Sequence, residues 1–212
     1  MAAGTGKLAR QLLGAGARCV AVEPSASMRA ECVLASPGVS VAGGAAECLP
    51  LRRGCADLLT VAQGFHWFEA DAALHEMARV LRPEGALVLV WNERDRSVPW
   101  AGALDQVLRR AAEGTAFTVT EIMDPTFDGD PHFSPFTRWQ GQHEVTMTPA
   151  QVVDMVTSRS YMQVMEEAAR RQVVDEVRAI VDPLGPTLVM PYATTAYCAR
   201  ARPGGCACDE EV

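Results

Sequence analysis

The chain has 212 residues, of which 49% are hydrophobic and 21% charged, and a net charge of -7. That length supports one well-filled core, and the composition is that of a globular domain rather than a fibrous or low-complexity chain. No Lys/Arg cluster is dense enough to grip a phosphate backbone or an anionic bilayer, and no apolar run approaches the ~18 residues of a membrane helix, so neither nucleic acid nor membrane is expected as a partner.

In chain order, KLARQLLGAG (7–16) reads as a short helix stopped by Gly14 and Gly16. ARCVAVE (17–23) is an apolar run closed by an acid, which suits a buried parallel strand. Ser25 can cap a helix over 26–35, VSVAG (39–43) is a second strand, and CADLLTVAQ (55–63) a third. Residues 69–83 form an amphipathic helix with Ala73, Leu74, Met77, Val80 and Leu81 on one face, ended by Pro83 and Gly85. ALVLVW (86–91) is the most apolar strand.

Beyond residue 92 the alternation loosens. Residues 99–113 look helical, and 124–138 (DPTFDGDPHFSPFTR) read as a long connection. WQGQHEVTM (139–147) alternates like a strand. Thr148-Pro149-Ala150-Gln151 has the order of a helix start, with a capping box, and a further helix covers 166–181. The segment 186–201 is β-branched and aromatic, a strand interrupted at Pro191. Strands alternating with helices predict an α/β, doubly wound, mostly parallel sheet with an antiparallel last strand. The chain is read as one domain: a cofactor-binding half (1–92), a substrate-side half (93–201) and a tail (202–212).

Seven cysteines stand at 19, 32, 48, 55, 198, 206 and 208. An odd number in a chain of this size argues against a disulfide framework and for a reducing, cytoplasmic setting with buried thiols. Cys206 and Cys208 lack a second ligand pair, so no metal site is expected. The first residues are small, without the apolar stretch of a signal peptide.

The chemistry concentrates near the amino end. Gly4, Thr5 and Gly6 form a loop that runs into a helix, where glycines let a ligand approach the backbone and the helix start offers free N–H groups. Glu23 closes the next strand, where a carboxylate can accept hydrogen bonds from the vicinal hydroxyls of a ribose. A phosphate-binding P-loop fails, because Lys7 is followed by Leu8 and no glycine stands five residues before Gly6. A dinucleotide fingerprint is formally met by Gly4, Gly6 and Ala9, so an NAD-type oxidoreductase survives on the loop alone. S-adenosylmethionine, with a ribose and no pyrophosphate, is the third reading.

AGTGK (3–7), VAVEPSASM (20–28), AAECLPL (45–51), DLLTVAQGFHWF (57–68) and EMARVLRPEGALVLVWN (76–92) occur in order and span most of residues 2–92. With these motifs the chain resembles the class I S-adenosylmethionine-dependent methyltransferases, in particular the small-molecule subset around trans-aconitate methyltransferase-like proteins. SRSYM (158–162) and LVMPYATTAYCARA (188–201) look like that family's distal half. The resemblance implies methyl transfer from S-adenosylmethionine to a small acceptor, such as a carboxylic acid. It implies that Gly4 and Gly6 face the cofactor's methionine and ribose, that Glu23 holds the ribose hydroxyls and that Met28 packs near the adenine. Ala45, Ala46 and Glu47 would border the adenine edge, and Gln63 would lie close to the transferable methyl. Many relatives carry a polar residue where Ala45 stands.

His66 and Trp67, with Phe68, would border the substrate pocket, His66 being the candidate general base. Methyl transfer from a sulfonium needs proximity, alignment and water exclusion more than a base. Trp91, Arg159, Tyr161 and Tyr192, with Asn92, would shape the acceptor site, and the Arg159 guanidinium forks well onto a carboxylate.

In the family a strand bearing an acid precedes the glycine loop. The motif alignment puts that acid one residue before Met1, so the first strand is expected to be missing. Two outcomes are then expected: direct pairing of the 17–23 and 57–62 strands, or an unstable fold that binds cofactor poorly. The non-enzymatic alternative is a silent, methyltransferase-like interaction domain.

Overall fold

The structure, a computed structural model, describes residues 1–113 and 129–203. Cys206 and Cys208, residues 124–128 of the 124–138 connection and most of the tail lie outside the described residues. Two compact units are distinguished. The first holds residues 1–91, 129–139 and 195–203, and the second 92–113 and 140–194.

The first half alternates as its pattern predicts. Helix α1 (Lys7–Gly14) leads to β1 (Val20–Val22), α2 (Ala26–Ala35), β2 (Ser40–Ala42), β3 (Ala56–Ala62) and α3 (Ala70–Val80). Ser25 caps α2 by accepting the Met28 N–H. The α3 face bearing Ala73, Leu74, Met77 and Val80 is buried. Strand β4 (Leu81–Arg94) starts where α3 stops, five residues earlier than its hydrophobic run suggests. Leu81 already pairs with Ala56, and a register shift then leads into the regular Leu58–Ala86 pairing. Glu84 takes a left-handed φ of 63°, and a Cβ on Gly85 would stand 2.9 Å from the Arg82 carbonyl, so the corner needs its glycine.

The later elements are α4 (Pro99–Ala112), β5 (Thr137–Met147), α5 (Pro149–Thr157), α6 (Ser160–Val164), α7 (Glu167–Val181) and β6 (Leu188–Arg200). The capping box before α5 forms as its sequence predicts, with Thr148 and Gln151 each accepting the other's N–H. Strand β6 is not interrupted at Pro191. Its missing N–H is tolerated while its carbonyl accepts the Asp95 N–H at 3.0 Å. In the second unit Leu104, Val152, Val156, Met162, Val177, Val181 and Met190 build a helical core against the start of β6.

Two sheets result: β1–β2, and a second ordered β3–β4–β6–β5. The β1–β2 and β3–β4 pairs are parallel, and β6 runs antiparallel, as the opposed Glu84–Ala201 and Asp95–Pro191 hydrogen bonds require. This is the expected α/β, mostly parallel arrangement. β1 and β3 do not pair directly, contrary to one of the outcomes expected above. Met1–Gly4 takes the place of that pairing: the Met1 ammonium donates to the Thr60 carbonyl at 2.8 Å, and the Ala3 N–H donates to Val22 at 3.2 Å. Nor are the thiols uniformly buried, since Cys32 is enclosed while Cys48 and Cys55 are exposed. Among the described residues no helix is long and apolar enough to cross a membrane.

Glu76 on α3 joins that helix to the loop before β3. It accepts the Leu49 N–H and pairs with Arg79, whose guanidinium also donates to the carbonyls of Leu49 and Leu51. The hydrogen bond from Arg79 holds the Glu76 carboxyl below its ordinary range, against the opposing push of burial. A depressed carboxyl pKa stabilises the fold above the unfolded value of 4.5, and that contribution fades as pH falls through the native value. Glu76→Gln should therefore lower Tm at pH 7 and flatten its fall below about pH 4.5, as checked by thermal melts across pH.

Candidate functional site

The first unit gathers its candidate residues at the carboxyl ends of parallel strands. Glu23 follows β1 and is 5% exposed. Its two oxygens accept the N–H groups of Gly4 at 2.9 Å and Ser25 at 3.0 Å, tying the glycine loop to the start of α2. Each oxygen keeps lone pairs beyond those bonds. Gly4 and Gly6 both have positive φ, 53° and 79°. A Cβ on Gly6 would meet Ser36 Oγ at 2.5 Å and Cys32 Sγ at 2.6 Å, whereas nothing lies within 4 Å of the Gly4 position. Gly6 is thus fixed by packing, while Gly4 opens onto free space. The Thr5 carbonyl is held by Arg10, which also reaches Ser36.

After β2, Gly44 packs so close to Pro50 that a Cβ would stand 2.6 Å away. Ala46 is buried and Ala45 exposed. The Glu47 carboxylate accepts the N–H of Glu69, the residue before α3, so its side chain holds that helix start. Met28 is exposed on the first turn of α2. After β3, Gln63 adopts a left-handed φ of 57°, a strained conformation for a residue with a side chain. Its N–H reaches the Val90 carbonyl, and a Cβ on the next residue, Gly64, would meet Ala2 at 2.7 Å. The ends of β1 and β3 thus both meet the segment that leads into Gly4.

Phe65–Trp67 form a 3-10 turn. Trp67 is 63% exposed and tilted against the His66 ring at 5.0 Å. The His66 Nδ1 is buried without a hydrogen-bond partner among the described residues, and burial lowers the imidazole's pKa, leaving it neutral near pH 7. Trp91 is 6% exposed and packs edge-on against Tyr197, a core position.

In the second unit Arg159, Tyr161 and Tyr192 fall within one polar cluster that includes partners the sequence does not single out. Asp105 on α4 is buried and takes three guanidiniums: Arg94, Arg96 and Arg109, each at 2.9 Å. Burial pushes the Asp105 carboxyl up, but hydrogen bonds from Arg109 and Arg94 and the attraction of Arg96 outweigh it and hold the group ionised. Arg159 lies close enough for Arg94 to repel it, an effect added to that of its own burial, with the Tyr161 hydroxyl beside it. Burial raises the Tyr161 pKa, so its hydroxyl stays protonated. Arg159 Nε and the Tyr161 hydroxyl are both buried without a hydrogen-bond partner among the described residues. Asp105 thus gathers Arg94, Arg96 and Arg109, and Arg96 also lies 3.9 Å from Glu93.

Tyr192 donates to Met155 Sδ and stacks on His143 at 5.1 Å. Thr194 donates to Asn92 and so accepts a hydrogen bond from His143 Nδ1. The only sequence hint of the cluster is the ERDR run (93–96) with the i, i+4 spacing of Asp105 and Arg109; the long-range meeting with Arg159 leaves no local trace. Among the described residues no group of three or more metal-binding side chains occurs.

Residues 1–89 match the family described as "Methyltransferase domain". An uncharacterized methyltransferase of Mycobacterium tuberculosis is 35% identical over 208 residues, covering 95% of this chain and 81% of the relative, and its Mycobacterium bovis counterpart matches equally. A demethylmenaquinone methyltransferase of Mycolicibacterium vanbaalenii is 34% identical over 125 residues, 58% of this chain and 54% of its own. Among solved structures, a putative type II methyltransferase from Anaeromyxobacter dehalogenans aligns with TM-score 0.67 at 19% identity, covering 95% of this chain and 88% of its own. A Haemonchus contortus phosphoethanolamine N-methyltransferase, in complex with phosphomonomethylethanolamine and S-adenosylhomocysteine, aligns at TM-score 0.52 and 14% identity, covering 95% of this chain and 48% of its own.

Glu23→Ala removes the acceptor for two backbone N–H groups. It should cost about 1–3 kcal/mol in urea unfolding and speed amide exchange at Gly4 and Ser25.

Proposed function

The chain belongs to the class I methyltransferase family, and from that premise we propose that it moves a methyl group from S-adenosylmethionine to an anionic small molecule in the cytoplasm. The observation that carries the donor assignment is the Glu23 carboxylate, enclosed beside an open glycine turn and still able to accept hydrogen bonds from a ribose diol. S-adenosylmethionine, when bound, supplies an electrophilic methyl on a sulfonium. Gly4 and the start of α1 would accommodate its approach, Ala45 and Ala46 would border the adenine, and Gln63, at the carboxyl end of β3, would lie near the methyl.

The acceptor's anionic group goes to Arg159 and Tyr161. The buried Arg159 Nε and Tyr161 hydroxyl, which have no hydrogen-bond partner among the described residues, would both be satisfied by a carboxylate or a phosphate. The Haemonchus contortus neighbour is in complex with phosphomonomethylethanolamine, itself an anionic phosphate ester. A carboxylate oxygen that takes the methyl becomes a neutral ester, with no proton to remove. For an acceptor that must lose one, His66 offers a neutral imidazole.

S-adenosylhomocysteine should raise Tm while NADH leaves it unchanged. Stabilisation by NADH alone would instead support the dinucleotide reading, and no shift with either would point to a silent interaction domain. In tritiated-methyl transfer across carboxylate and phosphate metabolites, Arg159→Met should raise acceptor KM at least about tenfold with S-adenosylhomocysteine affinity preserved.

A further inference from the structure

Strand β5 departs from the burial pattern of the other strands. Every residue of Thr137–Met147 is exposed except Gly141 and Met147, so neither face is covered. It is the last strand in the order β3–β4–β6–β5, and no described strand pairs with its outer edge. It also lacks the devices that usually blunt such an edge: it contains no Pro and no Lys, and it is eleven residues long. Trp139 stands 58% exposed on it.

Among the described residues the charges on this strand have no partner. Arg138 and Glu144 are exposed, and neither meets an opposite charge among the described residues. They lie three residues before and three after Gly141. When a strand pairs antiparallel with its own copy about a two-fold axis at Gly141, each residue faces the one equally far on the other side. Arg138 then faces Glu144 twice, and Trp139 faces His143 twice. Opposed residues are an even number apart, so the alternating outward N–H and C=O groups of one copy meet the same set on the other. A slip by two residues in either direction loses both ion pairs. Gly141 at the axis leaves room for the two indoles to lie across the centre, and each His143 is already braced by Tyr192 on its own chain.

We propose that the protein forms a homodimer by antiparallel pairing of β5 with β5 of a second copy, centred on Gly141, which joins two four-stranded sheets into one of eight strands. The interface is isologous, and the opposite-charge pairs select its register. It is small, so the dimer is weak, with a Kd on the order of micromolar. The proposal does not depend on the identity of the methyl donor or acceptor.

Sedimentation velocity of the full chain from about 1 to about 300 µM should show a monomer passing to a dimer. Arg138→Glu places four glutamates at the seam and Glu144→Arg four arginines, so each variant alone should dimerise more weakly than the parent, its Kd raised at least about tenfold and its transition moved to correspondingly higher concentration. An equimolar mixture of the two should regain the dimer, because every seam position then pairs opposite charges. The double variant should dimerise like the parent. Both side chains are exposed and unpartnered, so each variant should melt like the parent by circular dichroism. A parent that stays monomeric, a dimer indifferent to either single reversal, or a mixture that remains monomeric would each overturn the proposal.

Discussion

The first unit depends on one carboxylate enclosed at the end of a three-residue strand. A charge as buried as Glu23 is costly unless its oxygens are hydrogen-bonded, and two backbone N–H groups, from Gly4 and Ser25, meet that need. Those two donors lie on either side of β1 in the chain. The same interaction therefore sets the glycine turn before α1 and the entry to α2. Around it the fold places positions that tolerate no side chain: Gly6 against Cys32 and Ser36, and Gly44 against Pro50. Gly4, by contrast, faces open space that would let a ligand approach the backbone.

The second unit poses the opposite electrostatic problem. Asp105 is buried against Arg94, Arg96 and Arg109, and Arg159 sits near Arg94 with no ion pair to a carboxylate among the described residues. Partly buried guanidiniums with unpartnered N–H groups are costly in an empty protein, and an anion relieves that cost.

Surface strands commonly hide an edge or charge it with one sign. β5 carries one positive and one negative residue placed symmetrically about a glycine, and it leaves a tryptophan in solvent. Neither feature helps a monomer. Both find partners when the strand meets itself, because antiparallel pairing converts symmetry in the sequence into contact in space.

Much of this was legible in the residues alone. The 3.6-residue apolar spacing of α3, the apolar runs of β1 and β3 and the capping box before α5 specify local structure through contacts only a few positions apart. The meeting of the glycine turn with Glu23 was legible because their spacing follows from a strand–helix–strand unit. The tertiary structure decided what depends on distant partners. Leu81 joins β4 because Ala56 lies beside it, which overrides the helix-ending signals at Pro83 and Gly85. Pro191 sits inside β6 because only the carbonyl there needs a partner. Trp91 turns into the core against Tyr197, and Glu47 turns to the start of α3. The gathering of Arg94, Arg96 and Arg109 on Asp105, with Arg159 beside Arg94, draws on residues up to 65 positions apart in sequence. No periodicity records such a meeting, because it is fixed by how helices and strands pack after they have formed.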